Sequence, residues 1–172
     1  MEKKDLKPAG VFKYFEEICQ VPRPSKKEEK MIAYLKAFGA KHNLETKVDE
    51  AGNVLIKKPA TPGKENLQTV VLQSHIDMVC EKNNDVQHDF LTDPIETEID
   101  GEWLKAKGTT LGADNGIGVA TELAILADDS IEHGPLECLF TVDEETGLTG
   151  AFALQEGFMS GDILLNLSLI HI

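Results

Sequence analysis

Cysteine is scarce in this sequence, and what there is lacks a pattern. Cys19, Cys80 and Cys138 are odd in number and show no CxxC spacing, which argues against a disulfide framework or a thiolate zinc site and fits a reducing cytosol. Positive charge is also in short supply. Lys and Arg number 17 against 30 Asp and Glu, leaving a formal charge of −13, so nucleic acid and anionic lipid surfaces are poor partners and cations are better ones. No apolar run approaches the roughly 20 residues of a membrane span, and the opening MEKKDLKPAG lacks the apolar stretch of a secretion signal. The expected setting is soluble and cytoplasmic, with no nucleic acid and no membrane as partner. Internal repeats and low-complexity tracts are absent too, which removes solenoid architectures.

What remains is enough for one domain with a core: 172 residues, 41% of them hydrophobic. Residues 1–64 carry a net +5 and residues 65–172 a net −18, so carboxylates gather in the second part. Apolar spacing predicts a helix from Pro8 to Gln20 on Val11, Phe12, Phe15, Ile18 and Cys19, which VPRPS then breaks. Ser25 and Glu28 match a capping box opening a second helix that runs to about His42. Alternation at Leu44–Val48 and Asn53–Lys57 predicts two short paired strands, and TVVLQS (69–74), which does not alternate, predicts a strand buried on both faces. The stretch from Ile95 to Leu104, turning at Asp100-Gly101, reads as a hairpin anchored by Trp103. Ile117–Ala127 reads as a buried helix. LECLFTV (136–142) and DILLNL (162–167) read as buried strands, with a helix between them from Thr146 towards Gln155. The expected fold class is α/β, a mixed, largely parallel sheet flanked by helices.

Open α/β sheets bind ligands beyond the carboxyl ends of their strands, and here those ends deliver Ser74-His75-Ile76-Asp77, Asp114-Asn115-Gly116 and Asp143-Glu144-Glu145-Thr146-Gly147. In a His-x-Asp step the imidazole can ligate a metal while the carboxylate accepts the other ring N–H and fixes the tautomer. Read alone, the tripeptide is more often a solvated strand end. Adjacent glutamates repel unless a cation or a shared proton compensates them. One of Glu144 and Glu145 could ligate a metal while the other serves as general base, or the pair could be an acidic helix N-terminus. Asp114 sits in LGADNGIG, where Gly112, Gly116 and Gly118 permit close backbone approach. A dinucleotide loop would need a third glycine and a preceding apolar strand, and neither is there. A carboxylate bridging two cations suits this acidic loop better. Cys80 reads as a small buried hydrophobe, His88 and His133 as surface residues, and Asp128-Asp129 as charge set against a helix dipole.

In this order and at these spacings, SHIDMV, GTTLGADNGIGVA and TVDEETGLTGA resemble the aminoacyl-histidine dipeptidase (cytosol non-specific dipeptidase) family. It belongs to the di-zinc peptidase superfamily that also contains carboxypeptidase G, aminoacylase and succinyl-diaminopimelate desuccinylase. The likeness runs from about Phe12 to Leu167. It implies that His75 ligates one metal and Asp77 orients it, that Asp114 bridges two metals across a cis Asp114-Asn115 peptide, that Glu144 is the general base, and that Glu145 ligates the second metal. Zinc is the implied cofactor, as two ions, with manganese or cobalt possible; the implied substrate is a dipeptide. No separate cofactor-binding residues are expected.

The same resemblance sets out departures. The family places a further metal-binding Asp directly after the strand matching DILLNL, where this chain has Ser168, and its last His ligand lies beyond an inserted dimerisation or lid domain. Residues 1–167 are thus expected to be the N-terminal part of a catalytic domain and 168–172 a non-native tail, with the homodimer-forming domain absent and His171 no ligand. His75, Asp114 and Glu145 make three donors where two zinc ions need about five or six. The expected function is metal-dependent hydrolysis of dipeptides, with these 172 residues inactive by themselves. The rival readings are a single-metal-binding or non-catalytic remnant, and an N-acyl amino acid hydrolase of the same superfamily.

Overall fold

Two amphipathic helices lead into the sheet: α1 (Ala9–Cys19), started after Pro8, and α2 (Glu29–Lys41). A computed structural model describes residues 5–168, so the tail at 169–172, His171 included, lies outside the described residues. The strands are β1 (Glu45–Val48), β2 (Val54–Lys58), β3 (Val70–His75), β4 (Thr97–Asp100), β5 (Trp103–Ala106), β6 (Leu136–Thr141) and β7 (Ile163–Asn166), with α3 (Ala113–Ala127) before β6 and α4 (Thr149–Ala153) after it. The main sheet runs β1-β2-β6-β3-β7, and β4-β5 form a separate hairpin. β1, β2 and β6 pair antiparallel, while β6, β3 and β7 pair parallel. The sheet is mixed and flanked by helices, as expected for the α/β class.

Alternate residues of the central strands face two cores. Val54 and Ile56 of β2, Leu72 of β3, and Cys138 and Phe140 of β6 join Phe15, Ile18, Met31, Leu35, Val119 and Leu123 from the helices. Leu55, Val71 and Leu139 point the other way, onto Leu154, Phe158 and Met159. Burial on both faces is why TVVLQS and LECLFTV do not alternate.

Three expectations change. β7 pairs with β3 but is exposed along its length, Leu164 at 52%, because it is an edge strand that neither apolar cluster includes. Trp103 is 71% exposed and does not anchor the hairpin. The helix expected from Thr146 starts only at Thr149, because the Thr146 hydroxyl bonds Asp143 (2.5 Å) and the Gly147 and Leu148 N–H groups donate to the Glu144 carbonyl, making residues 143–148 a loop.

The acidic end of α3 also finds its explanation. Lys58, on β2 and only 8% exposed, donates to the carbonyls of Ile125 (3.2 Å) and Asp128 (2.8 Å) and pairs with Asp129 (3.4 Å). A cation at a helix C-terminus satisfies the last carbonyls and offsets the carboxylates.

Gly118 of α3 has no room for a side chain. A Cβ there would stand 1.9 Å from Asn115 Oδ1 and 3.1 Å from Ser74 Cβ. Gly→Ala inside a helix ordinarily stabilises, by up to ~1 kcal/mol. Here Gly118→Ala should reverse that sign and destabilise by ~1–3 kcal/mol through overpacking, read as a lower melting temperature in thermal denaturation.

Candidate metal centre

Parallel neighbours end on the same rim, and His75 at the end of β3 stands in register with Thr141 at the end of β6. The chain beyond each strand carries the chemistry. His75 and Asp77 are fully buried. His75 Nδ1 lies 3.2 Å from Asp77 Oδ1, and its Nε2 faces outward, 3.1 Å from Asp114 Oδ1 and 3.8 Å from Glu144 Oε2. His75, Glu144 and Glu145 each offer one atom within 4.8 Å of the others. All five expected site residues therefore meet on one rim, with Asp114 reaching the group through His75.

Asp114 gets there by a break in regular backbone. Although α3 opens at Ala113, Asp114 (ψ 115°) and Asn115 (φ −104°, ψ 31°) are not helical, and the peptide between them is cis. Asn115 Nδ2 donates to the Leu167 carbonyl (3.0 Å), tying this kink to the end of β7. Gly112, with φ 66°, takes a conformation that favours glycine, and a Cβ there would meet Arg23 Nη2 at 2.6 Å and Met78 Sδ at 2.7 Å.

Asp77 is the most heavily bonded carboxylate of the rim. It accepts from the Ser25 hydroxyl (2.7 Å) and from the N–H groups of Glu144 (3.0 Å) and Glu145 (3.2 Å), besides His75. Burial alone would raise its pKa, but the bonds from His75, Ser25 and the two N–H groups outweigh burial and hold it at about 2. For His75, burial pulls the pKa down, and the bond and charge of Asp77, with Glu144 and Asp114, more than reverse this and raise it. The Glu145 carboxyl is raised, first by burial and then, against the pull of His75, by repulsion from Glu144, Asp114 and Asp77. Among the described residues no Lys or Arg pairs with Asp114, Glu144 or Glu145. An imidazole Nε2 and three carboxylates lacking a Lys or Arg partner form a donor set that suits a hard or borderline divalent cation.

Behind this rim lies a second buried carboxylate group, Glu28, Asp77 and Asp143. Its demands are met internally: Glu28 accepts from the Lys26 (2.9 Å) and Asp143 (3.0 Å) N–H groups, and Asp143 accepts from Thr146. The expected capping box is therefore not formed. α2 has no side-chain cap, since Ser25 is spent on Asp77 and Glu28 on Asp143. Arg23, also buried, donates to the carbonyls of Ile76 (3.1 Å), Asp77 (3.2 Å) and Gly112 (2.6 Å). Sequence reading missed Arg23, Ser25 and Glu28 as supports of the site, and only their place in the PRPSKKE turn hints at them. Cys80 is half-buried against the core, and His88 and His133 are half-buried in loops, with His133 bonded to the Gly134 carbonyl (2.7 Å).

A mixed α/β sheet here gathers an imidazole and carboxylates at the ends of adjacent parallel strands, the place where open α/β sheets carry their sites. Residues 71–171 match peptidase family M20/M25/M40, and the chain belongs to that family. It is 52% identical over 165 residues to the cytosol non-specific dipeptidase of Escherichia coli (strain K12), covering 96% of this chain and 34% of that protein. The crystal structure of aminoacylhistidine dipeptidase from Vibrio alginolyticus superposes with a TM-score of 0.93 at 55% identity, over 96% of this chain and 34% of the other. Aminopeptidase PepT from Bacillus cereus ATCC 10987 follows at 0.78 and 26%, over 93% and 43%. The chain thus spans about a third of the length of the curated relatives it matches. No helix among the described residues is long and apolar enough to cross a membrane.

Proposed function

We propose that this chain supplies His75, Asp114 and Glu145 as metal ligands and Glu144 as general base to a cytoplasmic, metal-dependent dipeptidase. The observation that carries the reading is His75 itself, whose Nδ1 meets Asp77 while Nε2 faces Asp114 at 3.1 Å and Glu144 at 3.8 Å. The likeness to the Escherichia coli dipeptidase supports dipeptides as the substrate class. Zinc fits the donor set, with manganese or cobalt as substitutes, and Asp114 would lie between two ions. Bound there, the cations would polarise the scissile carbonyl and make water more acidic. Asp77 holds the imidazole of His75 in one orientation and tautomer. Glu144 takes a proton from the attacking water as the new C–O bond forms, and returns it to the departing amine as the C–N bond breaks.

Three donors fall short of the about five or six that two zinc ions need. The purified 172-residue chain should therefore show no measurable turnover, and calorimetric titration should find at most one weak zinc site; two sub-micromolar sites would contradict this. The test of the function is a hybrid in which residues 1–167 replace the matching segment of the Escherichia coli dipeptidase. Metal-loaded hybrid is expected to cleave dipeptides, and a folded, metal-loaded hybrid without activity on any dipeptide would sink the reading.

A further inference from the structure

The Ser25-x-x-Glu28 pattern does not cap α2, and each of its side chains reaches a segment far along the chain. The geometry points to the Arg23–Glu28 turn as a clamp on the metal centre, in which Ser25 is a positioning residue acting through Asp77. This inference rests on the functional reading above.

The turn touches all three segments that carry site residues. The Ser25 hydroxyl donates to Asp77 Oδ2 at 2.7 Å, 52 residues away. The Glu28 carboxylate accepts the Asp143 N–H at 3.0 Å, 115 residues away and directly before Glu144. Arg23 joins the carbonyls of Ile76 and Asp77 to that of Gly112, two residues before Asp114. The turn is itself fixed, by the Met78 N–H on the Arg23 carbonyl (3.2 Å), the Lys27 N–H on the Pro24 carbonyl (2.9 Å) and the Lys26 N–H on Glu28. It is not a relaxed loop, since Lys26 has φ 67°, a region non-glycine residues seldom occupy.

The Ser25 bond has a particular consequence for Asp77. With Oδ2 held by Ser25 and the Glu145 N–H, and Oδ1 held by His75 and the Glu144 N–H, the carboxylate plane cannot turn. One carboxylate then sets both the direction of His75 Nε2 and the path of the backbone that carries Glu144 and Glu145. Without the hydroxyl, Oδ2 keeps only the Glu145 N–H and the plane is held less firmly, by three donors in place of four. Removing a ligand's direct partner costs ~10–100-fold in metal affinity, and Ser25, one bond further out, acts at the lower end of that range.

Ser25→Ala in the 172-residue chain is the test, with Ser25→Thr restoring the hydroxyl. Two readouts are taken: affinity for Co²⁺ by visible absorption, and amide hydrogen exchange at Glu144 and Glu145. Ser25→Ala is expected to weaken Co²⁺ binding ~10-fold, the lower end of what a ligand's direct partner contributes, and to speed exchange at those two amides more than in β2, with a melting temperature a few degrees lower from the lost bond to a buried carboxylate; Ser25→Thr should return both readouts towards wild type. Unaltered exchange at Glu144 and Glu145 in Ser25→Ala would overturn the clamp, as would uniform acceleration across the sheet. If the wild-type chain binds no Co²⁺, the metal assignment fails for this chain, and exchange alone still decides whether Ser25 holds the rim.

Discussion

Glu144→Gln in the metal-loaded hybrid is expected to lower kcat for dipeptides by ~10²–10⁴-fold, the usual contribution of a general base, while metal content stays near wild type. Glu145→Gln should do the reverse, losing metal first and activity as a result. The two carboxylates are neighbours in sequence but differ in setting. The Glu144 side chain is 28% exposed, with Oε2 at 3.8 Å from His75 Nε2, so it stands beside the ligand atom and within reach of water. Glu145 is the more exposed of the two, and its carboxyl pKa is raised by partial desolvation and, against the pull of His75, by the repulsion of Glu144, Asp114 and Asp77. A cation relieves that penalty most where it binds, which favours Glu145 as the ligand. Steady-state kinetics and metal analysis on the same preparations separate the roles. Loss of metal in Glu144→Gln with full occupancy in Glu145→Gln would exchange the two assignments.

Much of the site could be read from sequence because its side chains lie at strand ends in contiguous motifs. His75 closes β3, Glu144 and Glu145 follow β6, and the parallel pairing of those strands brings both ends to one rim. What could not be read is which way a local pattern would be used. Ser25-x-x-Glu28 satisfies a capping box by spacing, but Asp77 and the Asp143 N–H compete for the same groups from 52 and 115 residues away, and they win. The apolar run ILLN predicts burial, yet burial needs a second layer, and an edge position beside β3 does not supply one. A short polar stretch such as 143–148 gives no sign of whether it starts a helix or turns first; the Asp143–Thr146 bond decides that. Glu122 was hidden for the opposite reason, a single acid in the apolar run of α3 whose helical phase points it inward.

Glu122→Gln is expected to stabilise the protein at neutral pH, by an amount that grows as pH rises. Glu122 is fully buried, and neither carboxylate oxygen completes a hydrogen bond of good geometry. Its polar neighbours are the Ser74 hydroxyl on β3 and the Cys138 thiol on β6, and burial outweighs what they contribute, so the carboxyl pKa is raised well above its ordinary 4.5. The folded state therefore holds the proton more tightly than the unfolded chain does. Below pH 4.5 both states are protonated, and glutamine, of nearly the same shape, should be close to neutral. Between 4.5 and the higher folded pKa the unfolded chain ionises first, so the wild type loses stability as pH rises, by at most about 1.4 kcal/mol per pH unit for one group. Glutamine does not titrate and loses nothing there. Urea unfolding of both proteins across this range, without metal, should show a difference near zero at acid pH that widens towards neutrality; a difference independent of pH would mean that Glu122 is ionised in the folded core. Because the carboxyl lies behind Ser74 rather than on the rim with His75, Co²⁺ affinity in Glu122→Gln should remain that of the wild type.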